Sequence, residues 1–271
     1  MLPMEKKSAL DRLTAKSWHR NSCCAANLLV IAFAILPVAG CRKGVEGLPA
    51  PQWSGGSHRI YTTSFSEVEN PISENGNWTN GRTNGLDWSD VRTTKGLAFG
   101  TQIPPTGPPF NDSIAVLTGS WNPNQMVTAR VQSIHQQQGD TYEEVELLLR
   151  MSISPHSATG YEVNFRCSRG SRTYVGFHSW NGPLNDYTDL ALTTGPGLSN
   201  GDVVSASIAG DTITAWINGV QVLQSKDNGN RFTSGNPGMG FYLQGTKGSD
   251  SDFGFKELTA SDESQAASPK R

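Results

Sequence analysis

Cysteine is scarce in this chain of 271 residues, with four in all, and only Cys167 falls after residue 41. A lone cysteine cannot close an internal disulfide, so stapling is excluded for the body of the chain, while export to an oxidising compartment is not. Cys167 has no Cys or His at metal-ligand spacing and reads as a small apolar core residue. Charge is sparse as well, at 17% of residues. No Lys/Arg run and no RNA-binding aromatic signature occurs, so nucleic acid is not an expected partner. After residue 58 no helical period outlasts a turn or so, which argues against helices there. The apolar run Ala25–Val38 covers about 14 residues where a membrane helix needs roughly 20, and Pro37 interrupts its end.

What the chain has in quantity is turn chemistry: 29 Gly and 15 Pro, with hydrophobic content at 36%. That profile suits many short strands joined by turns. The charge is unevenly placed. Five of the 22 bases and two of the 24 acids precede residue 41, leaving 17 bases against 22 acids in the remainder.

The N-terminal stretch reads as a targeting segment. Lys6, Lys7, Arg12, Lys16 and Arg20 come first, the apolar run is next, and Val38-Ala39-Gly40-Cys41 closes it. This is the basic, apolar and small-residue order of a secretory signal. The last four residues resemble the lipobox of bacterial lipoproteins. That resemblance implies cleavage before Cys41, acylation of Cys41 and a membrane-tethered product in the cell envelope. Arg42, where an aspartate would mark inner-membrane retention in that family, implies the outer membrane or cell surface. The expected organisation is therefore a signal peptide over 1–40, a tether over 41–57, one domain over 58–260 and a disordered tail over 261–271. The tether's extended reach is roughly 50 Å.

Within 58–260 the apolar period is two. The runs are Arg59–Phe65, Ser113–Leu117, Met126–Ile134, Glu143–Ile153, Gly160–Cys167, Thr173–Ser179, Val203–Ile208, Thr212–Ile217, Val220–Gln224, Met239–Gln244 and Phe253–Leu258. In the fourth, Val145, Leu147, Leu149, Met151 and Ile153 form one face; Glu144, Glu146, Arg150 and Ser152 form the other, with Leu148 an exception. In the fifth, Tyr161, Val163 and Phe165 oppose Glu162, Asn164 and Arg166. One face is core and the other meets solvent or a groove. Asn218-Gly219 supplies the positive φ angles of a two-residue type I′ turn, so 211–224 reads as a β-hairpin. The expected fold is all-β, a two-sheet antiparallel sandwich.

Gly201-Asp202 with the strand after it, the hairpin strand 213–220 and Gly238-Met239-Gly240-Phe241 resemble the C-terminal half of concanavalin A-like lectin/glucanase (laminin-G-like) jelly rolls. The resemblance is specific over 200–258 and implies two curved sheets closed by a strand at Phe253–Leu258. The tail 211–243 is also similar to bacterial secreted domains described as keto-disaccharide hydrolases. Because the jelly roll serves lectins, hydrolases and lyases alike, it leaves function open. Glucanases of this fold carry a Glu-x-Asp-x-(x)-Glu strand. Glu144 and Glu146 approach it, but Leu148 and Arg150 fill the next positions, so a retaining glucanase is not expected. Jelly-roll lyases need Arg, Asn or Gln, His and Tyr; the candidates are Arg150, Asn164, Arg166, Tyr174 and His178, set on polar faces of successive strands.

Binding asks for less: aromatic faces for sugar rings and polar groups for hydroxyls. Trp121, Trp180, Tyr187 and Trp216 are the candidates, each with the competing account that it covers the sandwich under a loop. Asp227, Asp250 and Asp252 are oxygen donors near the strands of the resemblance, where a structural calcium ion would sit; no other cofactor is expected. The reading is a surface lipoprotein whose domain binds extracellular glycan. A polysaccharide lyase or glycoside hydrolase, and a structural or adhesive module meeting an envelope protein, stand as alternatives.

Overall fold

The computed structural model describes residues 59–102, 110–137, 141–169, 173–229, 231–245 and 247–263. The expected signal peptide, Cys41, the tether and the last residues of the tail lie outside these.

Strand succeeds strand throughout. In chain order they are β1 (Ile60–Thr63), β2 (Trp78–Asn80), β3 (Val91–Thr94), β4 (Leu97–Gly100), β5 (Ser113–Leu117), β6 (Asn124–Ser133), β7 (Tyr142–Ser154) and β8 (Ser157–Arg166). Then come β9 (Val175–Gly182), β10 (Tyr187–Thr193), β11 (Val203–Ala209), β12 (Thr212–Ile217), β13 (Val220–Lys226), β14 (Asn236–Gln244) and β15 (Phe253–Glu263). Eight of them form one sheet in the order β13-β12-β11-β6-β15-β4-β3, with β1 also paired to β15. The other seven run β10-β9-β8-β7-β14-β5-β2. All strand pairings are antiparallel. This is the two-sheet jelly-roll sandwich that the period-two pattern and the concanavalin A-like resemblance imply.

Alternation explains the core. Val145, Leu147 and Leu149 of β7, Tyr161, Val163 and Phe165 of β8, and Met239 and Phe241 of β14 meet Val127, Ala129 and Val131 of β6 and Phe253 and Phe255 of β15. The Phe241 ring lies 5.2 Å from that of Phe255, centroid to centroid. Each such side chain contributes roughly 1.5–3 kcal/mol when fully buried. Cys167 joins the same cluster. The Asn218-Gly219 turn has φ angles of 50° and 77°, and Ile217 faces Val220 across it. That is the expected type I′ hairpin.

The structure departs from the sequence reading in three places. β2, β3, β4 and β10 occur where no alternating run stood out; they are short or lie at a sheet edge, where one flank needs no apolar residue. The supposed tail is strand as far as Glu263, because buried Asp262 accepts hydrogen bonds from the backbone N–H groups of Arg59 (2.7 Å) and Asn122 (2.6 Å). The third departure is a bulge in β7. The register with β8 shifts between Leu149 and Ser152, and Arg150 has a φ of 49°. An extra residue reverses the phase of everything after it.

Candidate functional site

The side chains that alternate away from the core on the seven-stranded sheet converge on one another. Across β7 and β8, Glu144 faces Arg166 and Glu146 faces Asn164. Across β8 and β9, Glu162 faces His178 and Asn164 faces Gly176. On the other flank of β7, Tyr242 of β14 lies opposite Glu144 and Gly240 opposite Glu146. Asp112, just before β5, completes the group. Side-chain oxygens of Asp112, Glu146 and Glu162 all lie within 4.8 Å of one another. Glu144, Glu146, Glu162 and Asp112 are buried, and so are Asn164 and Arg166.

What covers them is largely aromatic. Trp88, Leu86 and Ile114 pack with Leu148, Met151 and Trp180 in a second apolar cluster, against which Phe110, Leu184 and Tyr187 rest. The Trp88 and Trp180 rings meet edge to face at 4.3 Å. Tyr187 packs on Trp180 at 5.3 Å and on His178 at 5.6 Å. The cluster reaches solvent beside His178, whose side chain keeps 16% of its accessible surface, and Asp189, which keeps 43%.

The polar contacts are specific. Glu144 accepts hydrogen bonds from Asn164 Nδ2 at 2.9 Å and from the Tyr174 hydroxyl. Trp180 Nε1 donates to Glu162 Oε2 at 2.7 Å. His178 Nδ1 pairs with Asp189 Oδ1 at 2.9 Å, which leaves Nε2 facing inward over Gly176. Asn164 Oδ1 faces the same spot, 2.6 Å from where a side chain on Gly176 would begin, with His178 Nε2 at 2.8 Å. Arg166 donates to the Thr141 carbonyl at 2.9 Å and stacks over Tyr142 at 4.4 Å.

Burial sets the protonation. It pushes the Glu144 carboxyl up to about 7, with Glu162 adding to the effect and the Tyr174 hydrogen bond, His178 and Arg166 opposing it. Burial also lifts Asp112 and Glu146 well above the usual carboxylate range, reinforced by the charge of Glu162. For His178 burial favours the neutral ring, but the Asp189 hydrogen bond and the charges of Glu162, Asp189 and Glu144 outweigh it and raise the pKa. A carboxyl that can hold a proton near neutrality beside an imidazole oriented by a second carboxylate can exchange protons with a bound molecule.

Of the residues singled out in the sequence, Asn164, Arg166, Tyr174, His178, Trp180 and Tyr187 are brought together here. Arg150 is not. The bulge turns it away to donate to the carbonyls of Pro123 (2.6 Å), Phe232 (2.9 Å) and Gly210 (2.8 Å). Trp180 and Tyr187 are no loop platform: they sit opposite each other on β9 and β10, and Trp180 is 3% exposed. Trp121 is buried in the main core beneath the Arg59 guanidinium, its Nε1 bonded to the Thr118 carbonyl at 3.2 Å. Trp216 is half-buried on β12 of the other sheet, opposite Ser205 and Gln221. Asp227 accepts from Tyr161, Gly229 and Arg231, Asp252 from His135, and Asp250 lies beside Gly100. These three aspartates do not meet: among the described residues the sole grouping of potential metal ligands is Asp112, Glu146 and Glu162.

No protein-family model matches the chain, and no curated protein does. Solved structures do resemble it. A carbohydrate binding module from Bacillus subtilis is 13% identical, over 69% of this chain and 92% of that one, with a TM-score of 0.45. A beta-porphyranase from the human gut bacterium Bacteroides plebeius is 11% identical, over 80% and 96%, at 0.47. Beta-agarase A from Zobellia galactanivorans is 14% identical, over 80% and 97%, at 0.47. At such low identity and overlap the likeness concerns chain path alone, and the chemistry of the face rests on its own geometry.

Asp112, Glu162, Trp88 and Tyr242 carry much of that geometry and were not singled out from the sequence. Glu162 had a signal, since it alternates with the core residues Tyr161 and Val163. Asp112 and Trp88 had none, because they lie outside strands that alternate.

Proposed function

We propose that the protein acts on glycans, with the covered face of the seven-stranded sheet as an acid–base site for cleaving a glycosidic bond. The observation that carries this is the pairing of Glu144, poised near 7 and held by Asn164 and Tyr174, with the inward-facing Nε2 of the His178–Asp189 pair. A surface that merely binds sugar gains nothing from burying Glu144 on the same face as His178, because burying an ionisable group costs several kcal/mol. Glu144 serves as the proton donor to the leaving oxygen, and His178 accepts a proton from the attacking water. The aromatic edge of Trp180 and Tyr187 supplies the apolar surface on which a sugar ring rests.

The same charges speak against a lyase acting on uronates. Asp112, Glu144, Glu146, Glu162 and Asp189 cannot neutralise a uronate carboxylate in either protonation state, and Arg166 is already held by the Thr141 carbonyl and the Tyr142 ring. A neutral glycan fits better. We further propose export and acylation at Cys41, with the domain tethered in the cell envelope; the mass of the mature N-terminal peptide tests that.

The decisive test incubates the full chain with a panel of neutral oligosaccharides and measures new reducing ends. Glu144→Gln should lower turnover by about 10²–10⁴-fold while binding persists, the range expected for losing a general acid. Sugar binding without turnover, or turnover indifferent to Glu144→Gln, would overturn the reading.

A further inference from the structure

Three carboxyls buried side by side need either protons or a cation to offset their charge. The glycan reading explains Glu144 and His178 but gives no task to Asp112, Glu146 and Glu162. We propose that these three hold a hard divalent cation, calcium or manganese in kind, bound beneath the aromatic cover. The proposal stands apart from glycan cleavage and does not require it.

The geometry supports it in three ways. First, two oxygens on opposite sides of a cation bonded at roughly 2.4 Å stand about 4.8 Å apart, and all others stand closer. The carboxyl oxygens of the trio meet that bound together. Second, the donors are all oxygen and all carboxyl, the set suited to magnesium, calcium or manganese and not to thiolate- or imidazole-seeking metals. Third, an unsatisfied polar atom lies at the same place. Glu146 is 1% exposed, and its Oε2 accepts no hydrogen bond from any described residue. The Tyr242 hydroxyl, on a residue 6% exposed, meets the backbone of Phe110 and bonds no described side chain. Tyr242 stands opposite Glu144 across β14 and β7, two residues along from Gly240 opposite Glu146. A buried polar atom like Glu146 Oε2 calls for an ion or a water that completes it.

The surrounding side chains shape the site. A β-carbon at position 240 would overlap Glu146 Oε2, so glycine there lets that carboxyl lie across β14 toward Asp112. The Trp180 bond occupies one oxygen of Glu162 and fixes the direction of the other. Three protein oxygens leave several of the six to eight positions of a calcium-like ion for water or for sugar hydroxyls.

Terbium(III), a luminescent stand-in for calcium, gives a direct readout because indole excitation reaches it over short range. The full chain, stripped with chelator, is titrated with terbium under tryptophan excitation. One saturable site with strong sensitised emission is expected, displaced by calcium or manganese and weakened at least tenfold by Glu146→Gln and by Asp112→Asn. Asp87→Asn, which alters an exposed carboxyl paired with His156, should leave it intact. Circular dichroism of each variant shows that it is folded, and Glu162→Gln, which keeps an oxygen for Trp180, is the mildest of the set. Emission that is absent, or unchanged in all three trio variants, would overturn the proposal. Glu144→Gln separates the two readings: it should lower turnover by about 10²–10⁴-fold and retain terbium.

Discussion

The two sheets turn opposite faces outward, and they treat polar side chains in opposite ways. On the eight-stranded sheet the outward side chains include hydroxyls and an open ion pair: Thr62 bonds Thr259 at 3.2 Å, Thr128 bonds Ser205 at 2.9 Å, and Arg130 pairs with Glu257 at 2.7 Å with 39% and 51% of their surfaces exposed. On the seven-stranded sheet the same alternation delivers Glu144, Glu146, Glu162, Asn164 and Arg166, but Trp88, Trp180 and their neighbours close over them. Alternation alone therefore does not say whether a polar face is solvated. What decides is the cover, and a protein that encloses carboxyls accepts a stability penalty that an open threonine face avoids.

The contrast can be broken most severely at Gly240. Gly240→Val puts a branched side chain where Glu146 Oε2 lies and should cost about 3 kcal/mol of unfolding free energy by overpacking, read by urea denaturation. Thr128→Val on the open face should stay within about 0.5 kcal/mol. An effect of opposite sign is expected for Glu146→Leu in chelated protein: a gain of about 1–2 kcal/mol, since it removes a buried polar atom that accepts no hydrogen bond, with cation binding lost.

A pH series sharpens the comparison through carboxyls away from the site. Burial lifts both Glu143 and Asp250 to about 7. The folded protein then holds protons that the unfolded chain has released, so this stabilisation is complete below the ordinary carboxylate range and is lost as pH rises through about 7. Melting temperature should fall between pH 5 and pH 8 (roughly the window those values set), and Asp250→Asn should flatten part of the slope. The Arg130–Glu257 pair is also weak: its double-mutant cycle should report no more than about 0.5 kcal/mol, and less at high salt.

Most of the sandwich was legible because its signals are local. Ser113–Leu117 and Thr212–Ile217 are strands over the span their alternation marks, and Asn218-Gly219 turns as its dipeptide requires. The site was half legible. Glu144 and Glu146 stand out as alternating acids, but their partners lie off β7: Glu162 comes from β8 and Asp112 from a segment outside any strand. Partnership across strands depends on register, and register is not written in one strand's pattern. Arg150 was misplaced for a related reason: it obeys the alternation of the sequence, and the bulge cancels it. Trp180 and Tyr187 stand out as aromatics, but the Asn, Gly and Pro around them mask their place on two strands, since those residues mark the turn between β9 and β10 and not a long loop.

That bulge has a consequence for how the sheet can change over time. Beyond Arg150 the strand keeps its own phase, with Met151 lying under Trp88 and Trp180 in the apolar cover. Glu144 and Glu146 are thus spaced by the stretch before the irregularity, independently of the residues beyond it. The far end of β7 and its hairpin into β8 can lengthen, shorten or trade side chains while the two acids keep their separation, so the fold can vary its rim and leave its reactive centre in place.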